Sequence, residues 1–316
     1  MSSIAPSMST SDSHAGHMTI VTPVVEFDVG YKMTLETVGP IACDATAKPQ
    51  TVNNWDWFQG AILAVTFATK DHQKVLGTAC LLAPGLALTA GHIFDDEILA
   101  SIDCGNGSIQ ALGIGQASEG GFWRITHITT CPEGDVAYLS LARASAMSSD
   151  GKLRRFRLTT RSPAIGETLT LFGFRIPQVD QSDAGNRIDF VGQMYVSGGP
   201  VSEVLLHGRD RVMMPFPAIR VDCAAVGGMS GGPVMDQHGA LVGITSTSWD
   251  TPDGSGPTYI AWLVGGLNMR LTIEWPKGAY KPDTHLLEIP DPLIQLEGRE
   301  HYEVVSATQY GYRPWS

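Results

Sequence analysis

The chain has 316 residues, which at about 150 residues per domain corresponds to roughly two folding units. Its 21 Lys and Arg against 32 Asp and Glu give a formal net charge of −11, which disfavours a general nucleic-acid or anionic-membrane binder, since both need excess positive charge. A hydrophobic fraction of 43% with 17% charged residues is enough apolar material for a core and excludes global disorder.

The N-terminal region, residues 1–55, is predicted to be an extension in which residues 1 to about 18 form a disordered arm. Met1–Gly16 contains neither a basic cluster nor an apolar run, so no Sec-type signal peptide is predicted. The five cysteines form no Cys-x-x-Cys pair and no zinc-ligand spacing; they are Cys43, Cys80, Cys104, Cys131 and Cys223. We expect reduced thiols in the cytoplasm, with export by another route as the alternative.

Short strand-like runs follow at regular spacing, separated by turns drawn from 35 Gly and 19 Pro. The first set is Ala61–Thr69, Val75–Ala83, Leu86–Thr89, Phe122–Thr129 and Val136–Leu141. After a linker comes a second set: Thr168–Phe174, Arg187–Val191, Val201–Leu206, Ala218–Asp222, Pro233–Met235, Leu241–Ser246 and Thr258–Leu263. This pattern predicts an all-β sandwich or barrel architecture.

One uncharged stretch, Val75–Phe94, is long enough to suggest a membrane span. A Pro84-Gly85 turn signal in its middle indicates two buried strands instead. No membrane partner is therefore predicted.

The linker carries the one basic patch of this acidic chain, made of Lys152, Arg154, Arg155, Arg157 and Arg161. We interpret it as a solvated crossing between two units rather than a nucleic-acid site. Further on, apolar residues about one turn apart in Ala261–Glu274 predict a short C-terminal helix ended by Pro276, followed by a polar tail to Ser316.

Three segments together contain the groups needed for acyl transfer: Thr89-Ala90-Gly91-His92, Asp135-Val136-Ala137-Tyr138-Leu139 and Gly228-Met229-Ser230-Gly231-Gly232-Pro233. A serine hydroxyl needs a neutral imidazole to take its proton, and the imidazole needs a buried carboxylate to fix its tautomer. A glycine-rich turn lets backbone N–H groups converge on a developing oxyanion.

These three segments, in this order, resemble the motifs of the trypsin-like serine proteases of the chymotrypsin fold. The first resembles the family's Thr-Ala-Ala-His box, the second its Asp-Ile/Val-Ala-Leu-Leu segment, and the third its Gly-Asp/Asn-Ser-Gly-Gly-Pro motif. The resemblance covers about Trp57 to Leu263. It implies two six-stranded antiparallel β-barrels in a peptidase domain over 56–264, the first barrel over about 56–150 and the second over about 162–264, with a C-terminal helix and tail over 265–316.

By this resemblance Ser230 would be the nucleophile, His92 the general base and then acid, and Asp135 the orienting carboxylate. The backbone N–H groups of Gly228 and Ser230 would form the oxyanion hole. The chain departs from secreted members at Ile93, where they carry Cys, and at Met229, where many carry Asp to pair with a cleaved N-terminus. The first departure fits an intracellular or bacterial-type branch, and the second argues against activation by N-terminal cleavage.

The resemblance also places the specificity pocket. Ala224, six residues before the serine, would form its floor, and Thr245 and Thr247 would line its wall. All three are uncharged, so we expect small or apolar side chains on the acyl side of the scissile bond of a protein or peptide substrate.

Two other functions are compatible with parts of this sequence. Gly228-Met229-Ser230-Gly231-Gly232 also satisfies the Gly-x-Ser-x-Gly elbow of α/β-hydrolases, which would make the chain an esterase, but that elbow must open a helix and precede its acid and His. The fold could instead serve as a catalytically silent binding module. No cofactor and no metal site are predicted, since Asp180, Ser182, Asp183 and Asn186 lack the closing Glu of a calcium loop and no phosphate-binding glycine loop occurs.

Overall fold

The structure is a computed structural model in which residues 14–19, 33–52, 57–70, 73–113, 121–131, 133–145, 151–181, 187–249, 251, 254–306 and 309–312 are described. In chain order its strands are β1 (His14–Thr19), β2 (Thr34–Thr37), β3 (Gln50–Val52), β4 (Ile62–Thr69), β5 (Gln73–Ala83), β6 (Leu86–Thr89), β7 (Gly107–Gly113), β8 (Gly121–Thr130), β9 (Ala137–Arg143), β10 (Lys152–Arg155), β11 (Arg157–Thr159), β12 (Thr168–Gln181), β13 (Arg187–Leu205), β14 (Ala218–Val221), β15 (Pro233–Met235), β16 (Ala240–Ser248), β17 (Thr258–Trp262), β18 (Arg270–Leu271), β19 (Thr284–His285), β20 (Leu296–Glu297), β21 (Tyr302–Ser306) and β22 (Gln309–Tyr312).

Six strands close the first barrel, in the order β4-β5-β6-β9-β8-β7 and with antiparallel pairing throughout. The runs that form β4, β5 and β6 are apolar on both faces, because one face fills the barrel and the other packs against neighbouring elements. Five of the six strands follow the predicted runs. The sixth, β7, has the sequence Gly-Ser-Ile-Gln-Ala-Leu-Gly and is missed by the sequence pattern.

A second barrel closes in the order β15-β12-β13-β14-β17-β16, since β15 also pairs with β16. The predicted run Arg187–Val191 and the run Val201–Leu206, up to Leu205, lie in one long strand, β13. The expectation of two six-stranded antiparallel barrels is thereby confirmed.

The helix content differs from the sequence prediction. The one α-helix of the described residues is α1 (Asp96–Asp103), which begins where the Asp95 carboxylate accepts a hydrogen bond from the Ile98 N–H at 2.8 Å. The predicted helix over Ala261–Glu274 is wrong: the segment holds the end of β17, a 3-10 turn at Leu263–Gly265 and β18. Pairing of β17 with β14 and β16 and the adjacent Gly265-Gly266 oppose a longer helix. No helix in the described part of the chain could cross a bilayer.

The chain before the first barrel packs on the second barrel. Strands β1 and β3 pair with β13, and the Ala224 N–H donates to the Ala47 carbonyl at 2.8 Å. Within the predicted disordered arm, residues 14–18 therefore belong to a strand, because main-chain hydrogen bonds to β13 fix them; residues 1–13 lie outside the described residues.

The chain after the second barrel packs on the first. Trp275 meets Trp123 of β8 edge to face with ring centroids 5.3 Å apart, and the Tyr280 hydroxyl donates to the Pro84 carbonyl at 2.6 Å. Between the barrels, the rings of Phe58, Phe156 and Phe172 are fully buried in one cluster. Each barrel thus contacts the extension that is distant from it in sequence, and the tail also joins the sheet of the second barrel, where β20 pairs with β11.

The basic linker is used in packing. In β10, Arg154 and Lys152 both pair with the Glu36 carboxylate of the parallel strand β2, at 2.9 and 3.5 Å. Arg161 pairs with Glu167 at 2.5 Å and with Asp236 at 3.0 Å, and that contact lowers the pKa of the Glu167 carboxyl. These cations contact the N-terminal extension and the second barrel, and this structural use accounts for their part of the patch.

Candidate active site

Two antiparallel strands of the first barrel bring His92 and Asp135 together. Thr89 at the end of β6 pairs with Ala137 at the start of β9. His92 lies three residues beyond Thr89, in a 3-10 turn, and Asp135 lies two residues before Ala137. The local sequences end these strands at the same edge of the barrel, which is why the two side chains meet.

The Asp135 carboxylate accepts three hydrogen bonds. Oδ2 accepts from His92 Nδ1 at 2.7 Å and from Ser246 Oγ at 2.5 Å, while Oδ1 accepts from the His92 backbone N–H at 2.9 Å. An ionised carboxylate only accepts hydrogen bonds, so Nδ1 carries the imidazole proton and Nε2 holds the free lone pair. The Asp135 side chain is 9% exposed and that of His92 45%, so the carboxylate is enclosed and the base is reachable.

No motif in the sequence indicates a role for Ser246. It lies in β16 at a bulge, where the pairing with β17 steps from Thr245–Ile260 to Thr247–Tyr259. The extra residue turns the Ser246 hydroxyl to Asp135 and its carbonyl to Ser230. A bulge depends on cross-strand register, and the sequence signal here, alternating Thr and Ser, does not reveal it.

Ser230 lies in the turn between β14 and β15 of the second barrel. Its hydroxyl donates to the Ser246 carbonyl at 3.4 Å, and among the contacts of the described residues none joins it to the His92 ring. The structure therefore places all three side chains around Ser246, with the hydroxyl turned toward that residue's carbonyl. Nucleophile–base hydrogen bonds are often long or absent before substrate binds.

The turn around Ser230 leaves two N–H groups without acceptors among the described residues. The Met229, Gly231 and Gly232 N–H groups donate to the Val226, Thr245 and Met229 carbonyls at 3.1, 2.7 and 2.8 Å. Those of Gly228 and Ser230 make no such bond. Gly228 has φ of 100° and a Cβ there would lie 2.5 Å from the Phe174 carbonyl oxygen, so the turn requires glycine at this position.

Segments after the second barrel support the loop that carries Asp135. The Tyr138 hydroxyl donates to the Gly266 carbonyl at 2.8 Å, and the Cys131 thiol to that of Gly265 at 3.4 Å. Burial raises the pKa of both Tyr138 and Cys131, so both stay neutral. All five cysteines lie in the described residues and are free thiols.

The three residues assigned to the pocket are in different environments. Ala224 and Thr245 are buried, and Thr247, across the bulge from Thr245, is exposed. The neighbouring Ala225 N–H donates to Ser248 Oγ at 3.1 Å, which holds this segment beside the end of β16. Asp222, two residues before Ala224, pairs with Ser202 and Arg220 at the surface.

The esterase hypothesis fails on the local fold. A nucleophile elbow lies between a strand and a helix. Here the Ser230 turn leads into β15, and the acid and base precede it in the chain. Within the described ranges, no group of three or more His, Cys, Asp or Glu could hold a metal ion.

Comparison with known proteins gives the family. The model of the trypsin-like peptidase domain family matches residues 77–244, just over half of the chain. No curated protein sequence matches.

The chain is also similar to three solved proteases. For neuropsin, a serine protease expressed in the limbic system of mouse brain, the match has 13% identity, covers 72% of this chain and 94% of that one, and has a TM-score of 0.44. For the active form of the Rv3671c protease from M. tuberculosis, the match has 16% identity, covers 72% of this chain and 85% of that one, and has a TM-score of 0.42. For the HtrA-type protease AlgW with decapeptide, the match has 17% identity, covers 66% of this chain and 62% of that one, and has a TM-score of 0.43.

The matched residues 77–244 include His92, Asp135 and Ser230, and they extend across both barrels. The chain therefore belongs to the trypsin-like peptidase domain family and is a serine protease.

Proposed function

We propose that this protein is a serine endopeptidase that hydrolyses peptide bonds through an acyl-enzyme, with Ser230, His92 and Asp135 as its catalytic residues. The observation that carries the proposal is the bond between Asp135 Oδ2 and His92 Nδ1 at 2.7 Å. It leaves Nε2 as a base on the solvent side, next to the turn that holds Ser230.

In the acylation step, the Ser230 hydroxyl first rotates away from the Ser246 carbonyl toward His92. Its oxygen attacks the scissile carbonyl carbon while its proton passes to His92 Nε2. The carbonyl oxygen becomes an oxyanion that accepts hydrogen bonds from the Gly228 and Ser230 N–H groups. As the intermediate collapses, the C–N bond breaks, His92 gives its proton to the leaving amine, and an ester on Ser230 remains.

In the deacylation step, a water molecule enters beside His92 and loses a proton to Nε2 as it attacks the ester. The second oxyanion uses the same two N–H groups. Its collapse returns the proton to Ser230 Oγ and releases the carboxylic acid. Asp135 stays ionised throughout and stabilises the imidazolium in both steps.

The side-chain preference rests on Ala224, Thr245 and Thr247. None of them carries a charge, and the Asp222 carboxylate is engaged at the surface by Ser202 at 2.8 Å. We propose a pocket that accepts small or apolar side chains, because nothing in it would compensate a buried Lys or Arg.

The proposal is tested by labelling with a fluorophosphonate probe, which modifies an activated serine. We expect the wild type to be labelled and Ser230→Ala to be neither labelled nor active on peptide substrates, with a rate loss of at least about 10⁴-fold. Ser202→Ala is the matched control, since its hydroxyl also contacts a carboxylate, that of Asp222, but lies outside the site.

Failure of the folded wild type to label would favour the catalytically silent binding module. Labelling that survives in Ser230→Ala would mean that another serine is the nucleophile. A peptide-library profile dominated by cleavage after Lys or Arg would contradict the pocket assignment.

The compartment is proposed from the thiols. Burial raises the pKa of Cys223 to about 12 and keeps Cys80 protonated as well, and Cys104 is exposed. Free thiols of this number are typical of a reducing compartment, so we propose the cytoplasm.

A further inference from the structure

Thr78 lies in β5 of the first barrel and is completely buried against the second barrel. Its hydroxyl and its backbone N–H both point into the turn that carries Ser230. The reaction steps proposed above do not use this residue. Its contacts are nevertheless made with the two residues whose N–H groups would bind the oxyanion.

Two hydrogen bonds from Thr78 fix the carbonyls of those residues. Thr78 Oγ1 donates to the Gly228 carbonyl at 2.8 Å, and the Thr78 N–H donates to the Ser230 carbonyl at 2.8 Å. The hydroxyl also accepts from the Phe174 N–H of β12 at 2.9 Å. Because one side of the oxygen is occupied by that donor, its own hydrogen is directed at Gly228, and the two bonds strengthen each other.

The two peptide groups that Thr78 contacts, and the one between them, are also bonded within the second barrel. The Met229 N–H donates to Val226, the Met229 carbonyl accepts from Gly232, and the Gly231 N–H donates to Thr245. Met229 is itself fully buried and apolar, so no ion pair orders the turn at this position. The orientation of the peptide after Gly228 therefore depends on one bond from the Met229 N–H and one from Thr78.

We propose that Thr78 is a positioning residue that holds the oxyanion turn in its catalytic orientation from the opposite barrel. This rests on the proposed function. A donor contributes most to catalysis when it is aimed before the reaction at the place where charge develops. Without the Thr78 hydroxyl, the peptide group between Gly228 and Met229 keeps only the bond from the Met229 N–H and can rotate more freely. This group lies between the two peptide groups that carry the Gly228 and Ser230 N–H, so its rotation disturbs the aim of both donors.

The test is Thr78→Val, which keeps the size, the β-branch and the backbone N–H but removes the hydroxyl. We expect kcat to fall by about 10- to 100-fold with KM unchanged, since removing an oxyanion donor outright costs about 10²- to 10³-fold. The affinity for a peptide aldehyde, whose adduct oxygen would occupy the same hole, should fall by the same factor as kcat/KM. A fluorophosphonate titration counts the competent sites in each preparation.

Two further variants separate positioning from folding. Thr78→Ser keeps the hydroxyl and should restore kcat to within about threefold of the wild type. Thr66→Val removes another buried hydroxyl from the same barrel, one that has no partner among the described residues, and should leave kcat and aldehyde affinity unchanged. If Thr78→Val does not fold, Thr78→Cys replaces it, because a thiol is close in size but a weak donor.

The outcomes distinguish this inference from the proposed function. A wild type without Ser230-dependent activity overturns both. An active wild type overturns this inference alone if Thr78→Val, or Thr78→Cys in its place, keeps kcat. The inference is also overturned if Thr78→Val lowers substrate affinity and stability while its affinity for the aldehyde falls only by the factor by which KM rises.

Discussion

The residues around Ser230 show how closely the two barrels approach. Gly231 has φ of 81°, and a Cβ there would overlap the Thr89 hydroxyl and the Thr78 carbonyl of the first barrel. Gly91, beside His92, has more room, because a Cβ there meets nothing closer than Asp135 Oδ1 at 3.4 Å. Gly231 and Gly91 both belong to the predicted catalytic motifs, but only Gly91 has room for a larger residue.

We predict that Gly231→Ala destabilises the fold by about 3 kcal/mol and abolishes labelling at Ser230, since it combines a left-handed backbone with a clash against the opposite barrel. Gly91→Ala, its matched control, should change stability by less than about 0.5 kcal/mol and keep the labelling. Denaturant unfolding and fluorophosphonate labelling measure both. Equal losses in the two variants would show that glycine is required at both positions for another reason.

The sequence predicts some residues of the site and not others. His92, Asp135 and Ser230 stand in local motifs whose residue types suit one chemistry, and the structure brings them to one place. Ser246 and Thr78 contact the same groups but have no local signal. Their contacts depend on a bulge and on the approach of two barrels, which are set by residues far away in the chain.

At the scale of elements, strands were predictable where apolar and β-branched residues form uninterrupted runs, as in β4, β5 and β16. Strand β7 was missed because glycines and polar residues dilute its pattern. Helix α1 was missed because it is only eight residues long, and its clearest signal is the Asp95 cap. The predicted helix at Ala261–Glu274 was wrong because sheet pairing outweighs a weak helical spacing.

Strand β19 contains a buried histidine, His285, whose ring hydrogen-bonds to the turn that follows the strand. His285 Nδ1 accepts from the Leu287 N–H at 3.2 Å, so Nε2 carries the proton and donates to Asn268 Oδ1 at 3.0 Å. Burial lowers the pKa of His285 below its usual 6.5. The folded chain therefore holds this ring neutral at pH values where the unfolded chain binds a proton.

We predict that stability, present in full above the unfolded-state pKa, is lost as pH falls from about 7 through 6.5 and below, because only the unfolded state takes up the proton in that window. His285→Asn should show a smaller decrease of the melting temperature between pH 7 and 5.5 than the wild type. His127→Asn, at an exposed histidine of β8, should follow the wild type. A wild-type melting temperature that is flat over this range would contradict the prediction.

In the whole molecule, the segments before and after the two barrels pack against both of them. The N-terminal extension pairs with β13 of the second barrel, and the C-terminal tail packs on the first barrel through Trp275 and Tyr280. No sequence pattern predicts this exchange, because it depends on contacts such as that of Tyr280 with Pro84, which span 196 residues. The predicted boundaries of the extensions stay predictions, but their packing makes both part of the fold.

We predict that Trp275→Ala lowers the free energy of unfolding by about 3 to 5 kcal/mol, since it removes a buried ring from the surface of the first barrel. Trp249→Ala, at a tryptophan that is 49% exposed, is the matched control and should cost about 1 kcal/mol or less. Denaturant unfolding followed by circular dichroism measures both, and similar losses in the two variants would mean that the tail adds little to the fold.

The exchange of the two ends also bears on how fast the molecule folds. Its contacts join residues that are far apart in sequence, and such long-range contacts slow folding, because loop-closure entropy is lost before they form. During synthesis β3 must wait for β13, and Trp123 must wait for Trp275, which follows it by 152 residues. Each of these contacts therefore forms only after the later of its two partners has been synthesised, which places the packing of both extensions among the late steps of folding.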